Sequence, residues 1–355
     1  MSEAARARCG AAGAQARVTG TRRCAFRMIL EPMNANAAPS LPSNGTHHRA
    51  SLAALQQNIA KALFGQRTAI DRVICCLLAR GHCLIEDVPG VGKTVLATAL
   101  SRSVDCTFTR LQLTPDTLPG DVLGVSIYDK ATGEFIYKRG PIFANIVLAD
   151  EINRTPPRTQ SALLEAMAEA TVSVDGRVME LERPFMVIAT QNPFDFEGTY
   201  LLPENQLDRF LMRLSLGYPD PAEEARILHE RPGSVPLHTL APVISRQQLV
   251  AMQDDVDRVK VDASLLQYIV MFANATRRHP ALLHGLSPRG SLSLAQAARA
   301  QAYYLGRDYV IPEDITQNIH IVCAHRVVLK TGPAARLDAA VDVLDEILRS
   351  VPSPA

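Results

Sequence analysis

The sequence predicts an α/β protein: a parallel sheet flanked by helices, carrying two inserted β-hairpins and followed by a small all-α second domain. Three observations carry that reading. Short apolar runs alternate with helical patterns between about residues 50 and 217, the rhythm of βα units with parallel strands. The run Ile146-Val147-Leu148-Ala149 is apolar at every position, as a strand covered on both faces must be. Beyond residues 218–245, which hold Pro219, Pro221, Pro232, Pro236 and Pro242 and read as a linker with one short helix (222–229), only helical patterns remain, over 246–355.

In chain order, Ser51 can cap a helix whose Leu52, Leu55, Ile59 and Leu63 recur at helical spacing until Gly65 stops it. A second helix is expected from Thr68 to Arg80. The strand Cys83-Leu84-Ile85 then leads through Glu86-Asp87-Val88-Pro89-Gly90-Val91-Gly92-Lys93-Thr94 into the helical run 95–101. Residues 107–113 alternate like a strand. Two β-rich runs around Asp129-Lys130-Ala131-Thr132-Gly133 predict a hairpin over 124–138, inserted before the sheet resumes at Ile146. Thr159 can cap a helix over 160–169, a second hairpin follows over 171–182, and Phe185-Met186-Val187-Ile188-Ala189 is a further strand. Residues 203–210 read as a short helix. The last part has helical patterns near 246–254, 262–277, 291–305, 312–330 and 334–349.

Strand, glycine-bearing loop and helix in that order make a phosphate cradle, because loop amides and the helix N-terminus point at one anion. In such a loop Lys93 reaches the β- and γ-phosphates and the Thr94 hydroxyl ligates Mg²⁺. The strict pattern asks for glycine where Asp87 stands. Asp150-Glu151 end an apolar strand, where open sheets place ligands; the Asp can hold Mg²⁺ through water and the Glu can polarise an attacking water, the alternative being a helix cap. Asn192, at the end of the next strand, can orient that water or simply form a turn before Pro193. Arg209 ends a short helix, and is either dipole-compatible surface or, in a ring, a cation offered to the neighbour's γ-phosphate. Arg289, in Ser287-Pro288-Arg289, either shapes a capping turn or reaches back toward a nucleotide between the domains.

Composition narrows the function classes. At 47% hydrophobic and 21% charged, the 355 residues are ordinary for a soluble globular chain. Residues 1–49 carry seven Arg against two Glu, which leaves residues 50–355 mildly acidic and without a nucleic-acid footprint in their bulk charge. That opening could pass for a transit peptide; its Ala, Gly, Asn, Pro and Ser content reads instead as a disordered tail or an over-extended start, with Met28 or Met33 as the true one. The seven cysteines show no Cys-x-x-Cys spacing and lie mostly in apolar runs, the usage of a reducing compartment, so a cytoplasmic protein is expected.

Four blocks together resemble the AAA+ ATPases and, from about 50 to 350, the MoxR family: Ile85 through Thr94; Leu148-Ala149-Asp150-Glu151-Ile152-Asn153-Arg154-Thr155-Pro156-Pro157; Ala189-Thr190-Gln191-Asn192-Pro193 with Glu197-Gly198-Thr199-Tyr200; and Leu207-Asp208-Arg209-Phe210. Asp87 is no departure from that family's loop. The resemblance implies a P-loop AAA+ core (50–217) with a helical lid, and ATP with Mg²⁺ as cofactors. It makes Asp87, Val88, Pro89, Gly90, Val91, Gly92, Lys93, Thr94 and Val95 the nucleotide-binding loop, Lys93 and Thr94 being Walker A. Asp150 and Glu151 would be Walker B, Asn192 sensor 1, Arg289 sensor 2, and Arg209 the arginine finger, with Arg213 the alternative. It further implies a homo-oligomeric ring, a hexamer, whose ATP hydrolysis remodels or activates protein complexes with a von Willebrand factor A domain partner. The competing readings are a nucleic-acid-stimulated motor and a nucleotide-binding scaffold without turnover; intact Glu151 speaks against the scaffold.

Overall fold

The computed structural model describes residues 45–88, 90–192, 200, 202–219, 221–230, 237–331 and 337–354. Pro89, the stretch Pro193 to Thr199, residues 231–236 of the expected linker and the tail through residue 44, with Cys9 and Cys24, lie outside them.

Five parallel strands form the sheet: β1 (Cys83–Glu86), β2 (Phe108–Gln112), β5 (Ile146–Asp150), β8 (Met186–Gln191) and β9 (Met212–Leu214). Their order is β2-β5-β8-β1-β9, with Cys83 beside Ile188 on one side and Met212 on the other. Successive residues alternate between two cores. Cys83, Ile85, Ile146, Leu148 and Ile188 face one side; Leu84, Val147, Ala149, Val187 and Ala189 face the other. Both sides are covered, which explains why these strands show no polar alternation.

The first side is filled by α1 (Gly45–Ala60), α2 (Arg67–Leu78) and α3 (Lys93–Ser103), the second by α4 (Pro119–Leu123), α5 (Pro157–Glu169) and the hairpin β6 (Thr171–Val174) with β7 (Arg177–Glu180). The first hairpin, β3 (Gly124–Asp129) with β4 (Glu134–Arg139), interrupts the βα series as expected. Some boundaries differ from expectation. α1 begins six residues before Ser51, so Ser51 lies inside it and residues 45–49 are helical rather than tail. α5 starts at Pro157, a residue suited to the first helical position, which leaves Thr159 in the first turn with its hydroxyl donating to Thr117 O at 2.8 Å. The helix expected at 203–210 is a single turn, α6 (Glu204–Leu207).

The remaining helices are α7 (Pro221–Glu230), α8 (Arg246–Asp257), α9 (Ala263–Arg278), α10 (Pro288–Tyr304), α11 (Pro312–Thr316), α12 (Ile319–Cys323) and α13 (Leu337–Ser350). The pattern at 312–330 is broken at Asn318, whose side-chain amide donates to Asp314 O at 2.7 Å instead of continuing one helix. A small antiparallel pair, β10 (Leu282–His284) and β11 (Val328–Leu329), joins this helical part. Leu249, Met252, Phe272, Leu294 and Val322 share one apolar core with Ile70, Ile74 and Leu77 of α2. Helix α2 is therefore buried on nearly every side, between the sheet and the lid. Polar ties reinforce the contact: Arg72 donates to Gln301 Oε1 at 2.8 Å and Asn318 Oδ1 at 3.2 Å, and Gln253 to Leu77 O at 2.6 Å. Burial pushes the Cys75 thiol up to about 12, as befits an inert apolar filler.

Candidate active site

Two groups of charged side chains gather at opposite edges of the sheet. At the C-terminal edge, β1 hands over to the loop 87–92, where Gly90 and Gly92 take φ of +90° and +98°. Glycine reaches that left-handed region at no steric cost. Helix α3 then starts at Lys93, so its first-turn amides, which lack partners within the helix, front the loop.

Asp87 is buried and its carboxylate is fully engaged. Oδ2 accepts Ser215 Oγ at 3.0 Å and the Leu216 and Gly217 amides at 2.7 Å each, while Oδ1 accepts the Val88 amide at 2.9 Å. This acid ties the loop to the segment leaving β9. Gln66 donates to Gly217 O at 3.2 Å, and Gln66, Thr68, Arg72, Arg213 and Leu216 line an adjoining cavity of about 290 Å³. Lys93 Nζ donates to Asp87 O at 2.5 Å and Gln191 O at 3.3 Å. Partial burial lowers its pKa, opposed by the charges of Asp87, Asp150 and Glu151, so ammonium and acidic pair share one neighbourhood.

Asp150 ends β5. Its Oδ2 accepts Arg110 Nη2 at 2.6 Å and its Oδ1 accepts Thr190 Oγ1 at 2.6 Å. Thr190, on β8, also accepts the Glu151 amide at 3.0 Å. One buried hydroxyl thus fixes both acids. Glu151 stands at φ +60° and ψ +50°, a conformation that costs a non-glycine residue about 1–2 kcal/mol, and its carboxylate accepts Gln112 Nε2 at 3.1 Å. Asn192 follows β8, with its carbonyl accepting Asn153 Nδ2 at 3.3 Å.

The second group lies at the N-terminal edge, across the length of β1, roughly 13 Å for four residues at about 3.3 Å each. Gly81, His82, Met167, Asp208, Arg209, Arg289 and Arg326 line a cavity there of about 300 Å³. Arg209 sits in the turn after α6 and donates to Leu164 O at 2.5 Å. Arg289, one residue into α10, is exposed and makes no hydrogen bond or ion pair among the described residues. Arg80, beside them, forms close ion pairs with Asp254 and Asp257. His82 is held neutral: burial pulls its pKa down to about 4, while Nε2 meets Met167 O at 2.9 Å and Nδ1 accepts the Val187 amide at 3.0 Å.

Known proteins bear directly on this layout. Residues 82–212 match the family model described as ATPase family associated with various cellular activities (AAA), and residues 274–347 match the AAA lid domain. Chaperone MoxR1 of Mycobacterium tuberculosis is 40% identical over 337 residues, which cover 90% of this chain and 88% of that protein. The chain belongs to the MoxR family of AAA+ ATPases. Protein YeaC of Bacillus subtilis is 49% identical over 300 residues, 84% of this chain and 93% of the relative. A solved structure from Cytophaga hutchinsonii, 35% identical, superposes with a TM-score of 0.79 over 88% of this chain and 97% of its own. Nucleotide binding and a helical lid are properties of that family.

Against this MoxR frame, the structure brings Asp87, Gly90, Gly92, Lys93, Thr94, Asp150, Glu151 and Asn192 to one edge, whereas Arg209 and Arg289 stand together at the other. Arg289 does not reach back toward its own phosphate loop, because α10 docks on α2 with its first turn at the N-terminal edge. Arg213 is tied up in a close ion pair with Glu86 on the neighbouring strand, and burial draws it down to about 10. Pro89 lies outside the described residues. Arg110 and Arg326 carried no recognisable signal in the sequence. Thr190 alone had a usable clue, a polar residue closing an otherwise apolar strand.

Proposed function

We propose that the protein is an ATP-hydrolysing, ring-forming AAA+ chaperone of MoxR type that remodels or activates protein complexes, with residues 50–217 as nucleotide-binding core, 218–245 as linker and 246–355 as lid. The observation that carries this reading is the division of the charged groups. Lys93, Asp150 and Glu151 occupy one edge of the sheet and Arg209 and Arg289 the other, so a complete hydrolysis site needs two chains. In a ring, the N-terminal edge of one protomer faces the C-terminal edge of the next, and Arg209, with Arg289 beside it, offers its cation to the neighbour's γ-phosphate. The internal pairing of Arg213 favours Arg209 for that role.

Within one site, the loop amides and Lys93 bind the phosphates, the base enters the cavity beside Gln66, Glu151 polarises the attacking water and Asn192 orients it. Mg²⁺ fits the residues present. Thr94 and Asp150 offer hard oxygen donors, of the kind a magnesium ion takes when substrate phosphates and water complete its shell. Bound there, the ion would neutralise charge on the phosphate oxygens. The client is a protein assembly, reached through a von Willebrand factor A domain partner, and the ring is a hexamer.

The test is phosphate release by purified protein with ATP and Mg²⁺, together with capture of partners on Glu151→Gln. Turnover by the wild type and a nucleotide-loaded variant that retains a protein client are expected. Binding without turnover, even with the captured partner present, overturns the reading in favour of a scaffold. Turnover raised by DNA and steeply suppressed by salt assigns the motor to nucleic acid instead.

A further inference from the structure

Arg326 lies between α12 and β11 of the lid, yet most of its hydrogen bonds are made to another part of the chain. Nε donates to Asp208 Oδ1 at 2.8 Å, Nη1 to Leu211 O at 3.1 Å, and Nη2 to Phe210 O at 2.7 Å and Asp208 O at 3.3 Å. Further bonds to Val322 O and Ser293 Oγ, the latter at 3.2 Å, anchor the same guanidinium within the lid. The side chain is only 2% exposed. The segment it grips, 208–211, is the one that carries Arg209. The side chain of Arg209 is tethered to Leu164 O and opens into the same cavity.

A guanidinium is planar and presents its donors in a fixed fork, so it holds a strand of carbonyls in one orientation, as a flexible ammonium cannot. Buried among backbone oxygens, it also cannot let go of one without leaving a donor unpaired. The lid therefore fixes the backbone on either side of Arg209 as one rigid unit.

We propose that Arg326 is a positioning residue for Arg209: it makes the arginine offered to the neighbouring protomer move with the lid, so that lid position in one chain sets turnover in the next. This rests on the reading that Arg209 acts across the protomer interface. Misplacement of a reacting or stabilising group by about 1 Å costs on the order of 10²-fold in rate, which sets the expected size of the effect.

The experiment mixes subunits. Arg326→Ala is expected to lower ATP turnover at least about 10²-fold while its affinity for a fluorescent ATP analogue stays within about twofold, and Arg326→Lys is expected to do the same because it lacks the fork. Each variant is then assembled one-to-one with Glu151→Gln chains, whose own sites are dead but whose Arg209 and Arg326 are intact. Recovered turnover is expected, since the variant's own site is sound and receives a correctly held arginine from its neighbour. An Arg209→Ala and Glu151→Gln mixture is the reference. If that reference mixture stays inactive, the cross-protomer reading fails and this inference falls with it. If the reference recovers and the Arg326 mixtures do not, Arg326 serves its own site or only the fold, and the inference alone is overturned. Should Arg326→Ala fail to bind nucleotide, Asp208→Ala, which removes the partner of Nε from a half-buried position, replaces it under the same two outcomes.

Discussion

The two edges of the sheet are built on different physical plans. At the C-terminal edge, acids and a lysine are placed by two left-handed glycines, a helix start and a strand end, with Thr190 bridging Asp150 to the Glu151 amide from the adjacent strand and Asp87 tying the loop to the segment after β9. At the N-terminal edge, guanidinium groups are held by contacts between distant parts of the chain, with Arg326 reaching 118 positions back to Asp208 and Arg80 reaching 177 positions forward to Asp257. The first edge is made to grip an anion and the second to present a cation. Under the proposed function neither completes a hydrolysis site by itself, and the difference is what calls for a neighbour.

The sharpest way to break this comparison is Arg209→Ala. Turnover is expected to fall roughly 10³-fold or more, the scale of a lost arginine finger, with nucleotide affinity almost unchanged in an equilibrium titration. A comparable loss of affinity would mean that Arg209 serves its own loop and that the edges are not functionally separate. Glu151→Gln, at the other edge, is expected to slow release of phosphate by about 10²- to 10⁴-fold, the usual worth of a general base, while labelled ATP stays bound through gel filtration. Rapid loss of the label would remove Glu151 from that role.

Acid should discriminate between the edges. His82, with a pKa pulled down to about 4 against an ordinary 6.5, is neutral in the folded protein, so the unfolded chain binds more protons between those values. Stability is fully present above pH 6.5 and lost as the pH falls toward 4, by up to about 3 kcal/mol. Denaturant titrations from pH 7 to 4.5 should show that loss, and His82→Gln should flatten it. An unchanged slope in the variant would assign acid sensitivity elsewhere, with buried His325, also lowered, the next candidate. The smallest effect concerns Asp87. Asp87→Gly restores the glycine of the strict phosphate-loop pattern, yet it removes four hydrogen bonds to one carboxylate and is expected to cost about 2 kcal/mol. A variant as stable as the parent would show that the tie between loop and β9 is dispensable.

The same contrast explains what could be read from the residues alone. The phosphate loop, the acidic pair and both hairpins were legible because their geometry is set by near neighbours: glycine at positive φ, an apolar strand with acids at its end, paired β-rich runs around a turn. Strand β9 was not, since three residues, Met212 to Leu214, become a strand only through pairing with β1. The early start of α1 escaped because residues 45–49, Gly45-Thr46-His47-His48-Arg49, lack the apolar spacing of the rest of the helix, and the break at Asn318 because a side-chain hydrogen bond, invisible in periodicity, interrupts the helix. Arg289 has sequence neighbours that mark a helix start, but which edge it faces is decided by how α10 docks on α2. The role of Arg326 depends wholly on that docking.

The most direct test of a site divided between two chains is ATP turnover per chain as a function of protein concentration, followed alongside oligomeric state by light scattering. Turnover per chain is expected to rise steeply as protomers associate and to fall away on dilution to monomer. Constant, substantial turnover per chain in fully monomeric protein would contradict it.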